Sequence, residues 1–270
     1  MRTCTIGAVT IGTDSPVRLM GIINCSPESF FSRSFVSTDG VRRRAQDLIA
    51  QGADIIDIGA RSTAPGAPPL SVAEEKARMI GALGECAGLG IAVSVDTMHP
   101  EVLEACLAYD IQAVNDISGL IDGNIAARIG DAGLPAILMA SVGRPGDAIG
   151  VEATVDALAR VVERASEAGI KEFVLDPAVG RWREEKLPAH DWDLCRHFSR
   201  FLVFDRPLLA AVSRKSFIGD LLDKPTEQRL SGSLAVTYGL ILRGASLVRT
   251  HDVAETRDLI RVLAYLERNP

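Results

Sequence analysis

The stretch IAVSVDTMHPEVLEACLAYDIQAVNDIS, residues 91–118, decides the fold. Its ends, IAVSVD (91–96) and QAVNDIS (112–118), are short apolar runs of strand length. The middle, HPEVLEACLAYD, has helical spacing and places Pro100 at a first-turn position. Strand, helix and strand in succession form a unit whose two strands lie parallel.

The same unit repeats outward in both directions. Apolar runs recur at LMGIIN (19–24), ADIIDIG (53–59), PAILMA (135–140), EFVLDP (172–177), PLLAAVS (207–213) and ASLVRTH (245–251), which makes eight in all. Helical segments lie between them. GVRRRAQDLIAQG carries Val41, Ala45, Leu48 and Ile49 on one side. SVAEEKARMIGALGECA opens with Ser71 and has Glu74 three residues on, a capping box. GVEATVDALARVVERASEAG and the final DVAETRDLIRVLAYLER are long and amphipathic. Near-continuous apolar strands suit a parallel sheet covered on both faces. A doubly wound open sheet would also alternate in this way, but eight units fit the closure of a TIM (β/α)8 barrel. The N-terminal TCTIGAVTIGTDSPVRL alternates weakly around Gly12 and reads as a β-hairpin closing the barrel bottom. With no linker or low-complexity tract, residues 1–270 read as a single domain.

Composition narrows the function. The chain is 47% hydrophobic and 24% charged with a net charge of −6, which argues against a general nucleic-acid or membrane-surface binder. No run is long and apolar enough to span a bilayer, and the N-terminus shows no secretory pattern. The five cysteines (Cys4, Cys25, Cys86, Cys106, Cys195) are scattered and lack CxxC spacing. They fit small buried side chains in a reducing cytoplasm, the expected location.

In a barrel the chemistry gathers at the C-terminal ends of the strands. Those ends read Asn24, Asp57, Asp96, Asn115 with Asp116, Met139, Asp176, Ser213 through Lys215, and Arg249 with His251. Any one polar residue there can be a helix cap; seven of eight on one rim mark a site. Acids and amides can hold the N–H edge of a flat heterocycle, since a carboxylate accepts two parallel bonds. Lys215 supplies a donor to a carbonyl or ring nitrogen, while Asn24, Arg249 and His251 suit an anion. The ligand implied is a polar ring system with a phosphate-like tail.

At these positions the sequence resembles the dihydropteroate synthase family. The resemblance lies in GIINCSPESFF, GADIIDIGARSTAPGA, AVSVDT, NDISG, LDPAVG, SRKSFIG and RTHDV, in the family's order, from about residue 19 to residue 255. It implies a TIM barrel and a transferase that joins a dihydropterin diphosphate to an arylamine. It assigns the pterin to Asp57, Asp96, Asn115, Met139, Asp176 and Lys215. The diphosphate falls to Asn24, Thr63, Arg249 and His251, with Mg²⁺ at Asn24. Asp96, Lys215 and Arg249 are the expected catalytic residues, and Ser213, Arg61 and Arg181 the expected arylamine contacts. Lys215 should face the heterocycle, with Arg214 turned outward or paired with a carboxylate. A homodimer is expected.

The loops depart from the family pattern. Arg33 stands in a first loop without the usual glycine pair. Arg61 and Ala64 flank the second, and GRWREE brings Arg181, Trp182 and Arg183 into the sixth. Ala140 replaces a common His. SPESFF is similar to the first loop of archaeal-type relatives in tetrahydromethanopterin synthesis. That likeness implies 4-(β-D-ribofuranosyl)aminobenzene 5′-phosphate as arylamine ahead of p-aminobenzoate, with the added arginines on its phosphate. The alternatives are a classical folate enzyme, a pterin-dependent methyltransferase acting on a corrinoid protein, and an inactive pterin-binding paralogue.

Overall fold

The computed structural model describes residues 3–12, 15–26, 35–62 and 68–266. Eight parallel strands close a barrel in the order β10-β3-β4-β5-β6-β7-β8-β9. They are β3 (Arg18–Asn24), β4 (Ile55–Gly59), β5 (Ala92–Asp96), β6 (Ala113–Asp116), β7 (Ala136–Met139), β8 (Phe173–Asp176), β9 (Leu208–Ala210) and β10 (Ala245–Thr250). Each expected apolar run supplies one strand. The seventh is shorter than its run, so Ser213 lies beyond the strand. Register sets the rim: Asn24 pairs with Gly59, Gly59 with Asp96, and Asp96 with Asn115. Register therefore holds Asn24, Asp96 and Asn115 at one level, since a one-residue slip of a strand would turn its side chains to the other face.

Helices cover the outside: α1 (Val41–Gln51), α2 (Val72–Cys86), α3 (Pro100–Cys106), α4 (Gly123–Asp131), α5 (Val151–Glu167), α6 (Pro188–Arg196), α7 (Ser216–Leu222), α8 (Leu230–Ile241) and α9 (Val253–Leu266). α1 buries Val41, Ala45 and Leu48, one apolar stripe. α2 starts with the capping box expected at Ser71 and Glu74, and α3 with Pro100 in its first turn. The five cysteines are free and buried, as small apolar side chains would be. Among the described residues no helix is long and apolar enough to cross a membrane.

The N-terminal hairpin pairs β1 (Cys4–Ile6) with β2 (Val9–Ile11). Its turn falls at Gly7 and Ala8, not around Gly12. Cys4, Ile6 and Ile11 form one cluster with Met20, Ile55, Ile137, Val174 and Leu247, drawn from the barrel interior. The hairpin therefore plugs the N-terminal end, and the open end is the polar rim.

Candidate active site

Asp96, Asn115, Asp176 and Lys215 line a single cavity of about 590 Å³ at the C-terminal end of the barrel. Asn24, Arg249 and His251 stand on the same wall, and so do Arg61 and Arg181. Arg249, on β10, knits the floor. Its Nε donates to Asp57 Oδ2 at 2.6 Å and its Nη2 to Asp96 Oδ2 at 2.8 Å. Asn115 Nδ2 donates to the same Asp57 oxygen at 3.0 Å. Asp57 Oδ1 is buried with no hydrogen-bond partner among the described residues, an acceptor left unmet in the floor.

Burial moves the charges on this wall toward neutrality. Asp96 is pushed up to about 7, first by burial and then by Asp57, Glu75 and Asp116, with Arg249 opposing. Asp176 is raised, chiefly by burial, against the pull of Lys215. Lys215 is brought down to about 8 by burial, with Asp176 and Asp191 resisting. His251 falls to about 3 through burial and then Arg249, Arg214 and Arg44, so its ring is neutral at physiological pH. Arg249 is held above its ordinary value: burial works against its charge, and Asp57 and Asp96 outweigh that.

Some expected contacts lie elsewhere. Asp57 is fully buried beneath the cavity wall and reaches it through Arg249 and Asn115. Met139, at the end of β7, is 1% exposed, packs into the apolar core and does not border the cavity. Ser213 is also off the wall; its hydroxyl accepts the backbone N–H of His251 at 3.2 Å and ties two loops together. Thr63 and Arg33 lie outside the described residues, as does much of the two loops that carry them. Arg214 pairs with Asp252 through two bonds of 2.9 and 2.7 Å, so of the two adjacent cations only Lys215 enters the cavity.

Glu75 was not foreseen. Glu75 on α2 is 1% exposed and accepts from Arg61 Nε at 2.6 Å and Thr97 Oγ1 at 2.7 Å. His99 Nδ1 lies 2.9 Å from it. Burial raises the carboxyl of Glu75, but His99, Arg61 and Thr97 together hold it below the usual range. In sequence Glu75 is one of two adjacent helix-start glutamates, and only the capping pattern of its neighbour was a signal. Trp182 lines the cavity with Lys215 Nζ 5.1 Å from its ring centroid. Trp192 packs edge-on against Phe217 at 4.8 Å, as a helix packing residue does.

A closed (β/α)8 barrel with carboxylates, an amide and cations converging at its strand ends defines a TIM-barrel enzyme. A family model described as Pterin binding enzyme matches residues 20–251. Dihydropteroate synthase of Escherichia coli K12 is 35% identical over 257 residues, 91% of this chain and 90% of that one. The solved Xanthomonas albilineans dihydropteroate synthase with 4-aminobenzoic acid superposes with a TM-score of 0.88 at 32% identity, covering 99% of both chains. That of Coxiella burnetii in complex with pteroic acid gives 0.86 at 28%, covering 98% of both. This chain belongs to the dihydropteroate synthase family of pterin-binding enzymes, and is a pterin-condensing transferase. These three matches do not show the likeness of the first loop to archaeal-type relatives.

Proposed function

We propose that the cavity condenses 6-hydroxymethyl-7,8-dihydropterin diphosphate with p-aminobenzoate, forming dihydropteroate and diphosphate for folate synthesis. The observation that carries the reading is the convergence of Asp96, Asn115, Asp176 and Lys215 on one cavity beside Asn24, Arg249 and His251. Asp176 and Asn115 accept from and donate to the amino-pyrimidinone edge of the pterin, and Lys215 donates to it. The methylene C–O bond breaks, and the leaving diphosphate is met by Arg249 and by the neutral His251 as a hydrogen-bonding ring. Ionised Asp96 stabilises the pterin-methyl cation. The arylamine nitrogen then forms the C–N bond and releases a proton. Positioning and electrostatics carry the rate, with no protein nucleophile.

Among the described residues no three His, Cys, Asp or Glu side chains gather as a metal cage. Mg²⁺ takes few protein ligands where phosphate oxygens and water supply the others, and Asn24, an amide side chain able to supply one, borders the cavity. The wall fits an ion held jointly by Asn24 and the diphosphate, where it would neutralise charge on the leaving group.

Two of the four arginines expected on a sugar phosphate are already paired with carboxylates. Arg61 is neutralised by Glu75, and Arg183 pairs with Glu185. A benzoate carboxylate needs one cation, and Arg181 and Arg229 both border the cavity. Arg229 donates to the backbone carbonyls of Lys224 and Arg214 and forms no ion pair among the described residues. The relative solved with 4-aminobenzoic acid lends further support.

Diphosphate release measured side by side with the two arylamines tests the reading. Faster turnover with p-aminobenzoate is expected, and a preference for the ribosyl phosphate would overturn it. Methyl transfer to a corrinoid protein, or pterin binding without turnover, would instead identify one of the other classes. The proposed active form is a homodimer, supported by the exposed Leu221, Leu222, Tyr238 and Leu242 on and beside α7 and α8. Sedimentation checks this, and a monomer at assay concentration would remove it.

A further inference from the structure

The turn after β8 is held from outside the cavity by two buried charges. Lys186 is fully buried, and Asp191, on α6, is 1% exposed. Their Nζ–Oδ1 distance is 3.2 Å. Lys186 Nζ donates to the carbonyl of Ala178 at 2.5 Å, and Asp191 Oδ1 accepts the N–H of Gly180 at 2.7 Å. From the cavity side, Asp176 Oδ1 accepts the N–H of Ala178 at 2.8 Å, and Lys215 Nζ donates to the carbonyl of Val179. One turn, residues 177–180, therefore shares its polar groups between the cavity pair Asp176 and Lys215 and the hidden pair Lys186 and Asp191.

The turn is not one the chain adopts for its own sake. Ala178 has φ +58, a left-handed conformation costly for a residue with a Cβ. Gly180 has φ +125, and a Cβ there would come within 2.6 Å of the Lys215 side chain. Strained backbone persists where its surroundings over-determine it. A buried ion pair adds little net stability compared with apolar residues of like volume, so its presence needs another reason. Here every bond of the pair to the turn acts on the backbone that places Asp176 and Lys215.

We propose that Lys186 and Asp191 are a positioning pair for the reaction: they clamp turn 177–180 and thereby fix the Lys215 ammonium and the Asp176 carboxylate against the pterin. Neither touches substrate. The inference rests on the proposed role of Lys215 at the heterocycle. The charges that face Lys215 are Asp176 from β8, Asp191 from α6, Lys186 from the preceding loop and Arg249 from β10, with the Trp182 ring beside them. Asp191 favours the protonated amine, and Lys186 and Arg249 disfavour it.

The test is the pH profile of kcat/KM for dihydropterin diphosphate in wild type, Asp191→Asn, the double variant Lys186→Met/Asp191→Asn, and Lys215→Met as reference. Asp191→Asn keeps an acceptor for Gly180 and removes only charge. Its alkaline limb should move to lower pH, and its kcat/KM should fall on the order of 10-fold. The double variant is neutral and similar in volume, so it should fold, as circular dichroism would report. Its KM for the dihydropterin diphosphate should rise on the order of 10-fold or more while the KM for arylamine holds. An unmoved alkaline limb in Asp191→Asn overturns the proposal, and so does a double variant with wild-type constants or one that does not fold. If Asp191→Asn does not fold, the double variant decides. Lys215→Met with wild-type turnover overturns the reading of Lys215 itself. An inactive Lys215→Met beside an unaltered Asp191→Asn overturns the role of the pair alone.

Discussion

Burial draws the titrations of Asp96 and Lys215 close together. Asp96 stands at about 7 and Lys215 at about 8, both moved mainly by burial. Ionised Asp96 is required, so activity rises with pH through about 7. Protonated Lys215 is required, so activity falls above about 8. A kcat/KM profile should be a narrow bell between these values, since that ratio reports the free enzyme. Asp96→Asn should remove the acid limb and lower kcat/KM on the order of 100-fold or more. A flat profile from pH 6 to 9 would contradict both assignments. Asp57 serves differently, because it holds Arg249 and Asn115 from below. Asp57→Ala leaves a partly buried guanidinium short of a partner and should cost about 3 kcal/mol in urea denaturation, with loss of turnover.

Helix starts and strand ends divide the labour. The capping box at the head of α2 joins Ser71 and Glu74, with the Glu74 N–H donating to Ser71 Oγ at 3.2 Å. Ser71→Ala should lower stability by about 1 kcal/mol, read by thermal unfolding. Turnover should change little, because neither Ser71 nor Glu74 borders the cavity. One residue along, Glu75 faces the opposite way and grips Arg61 and Thr97, next to Asp96. The same helical turn thus carries a local device and a tertiary one. Local devices were readable: the Ser71 box, Pro100 at a helix start and the alternation of apolar runs. Glu75 was not, since its partners come from two distant segments of the chain, residue 61 and residues 97–99.

The barrel separates stability from chemistry by its two ends. Ile6 of the hairpin is fully buried in the cluster that fills the bottom. Ile6→Ala should destabilise by about 2–5 kcal/mol, checked by chemical denaturation, while the pH profile and kcat of the remaining folded enzyme stay as they are. A change in the KM for the dihydropterin diphosphate would show that bottom and rim are coupled.

The sequence by itself determined the eight-unit alternation, the strand ends and the residue types on the rim. Periodicity and caps are local, and closure of eight parallel strands follows from their number and pleat. It therefore also determined that Asp96, Asn115, Asp176, Lys215 and Arg249 would meet. Tertiary structure alone decided which of the remaining expected contacts face the cavity. Asp57 sinks below the wall, Met139 into the core, and Ser213 into a loop tie, while Arg61 is neutralised from α2. Those outcomes turn on which buried charges find each other across tens of residues, because a buried charge must be paired wherever its partner lies in the chain. Lys186 and Asp191 show the same rule: nothing in either residue's neighbours marks it, and only the folded turn between them gives the pair a purpose.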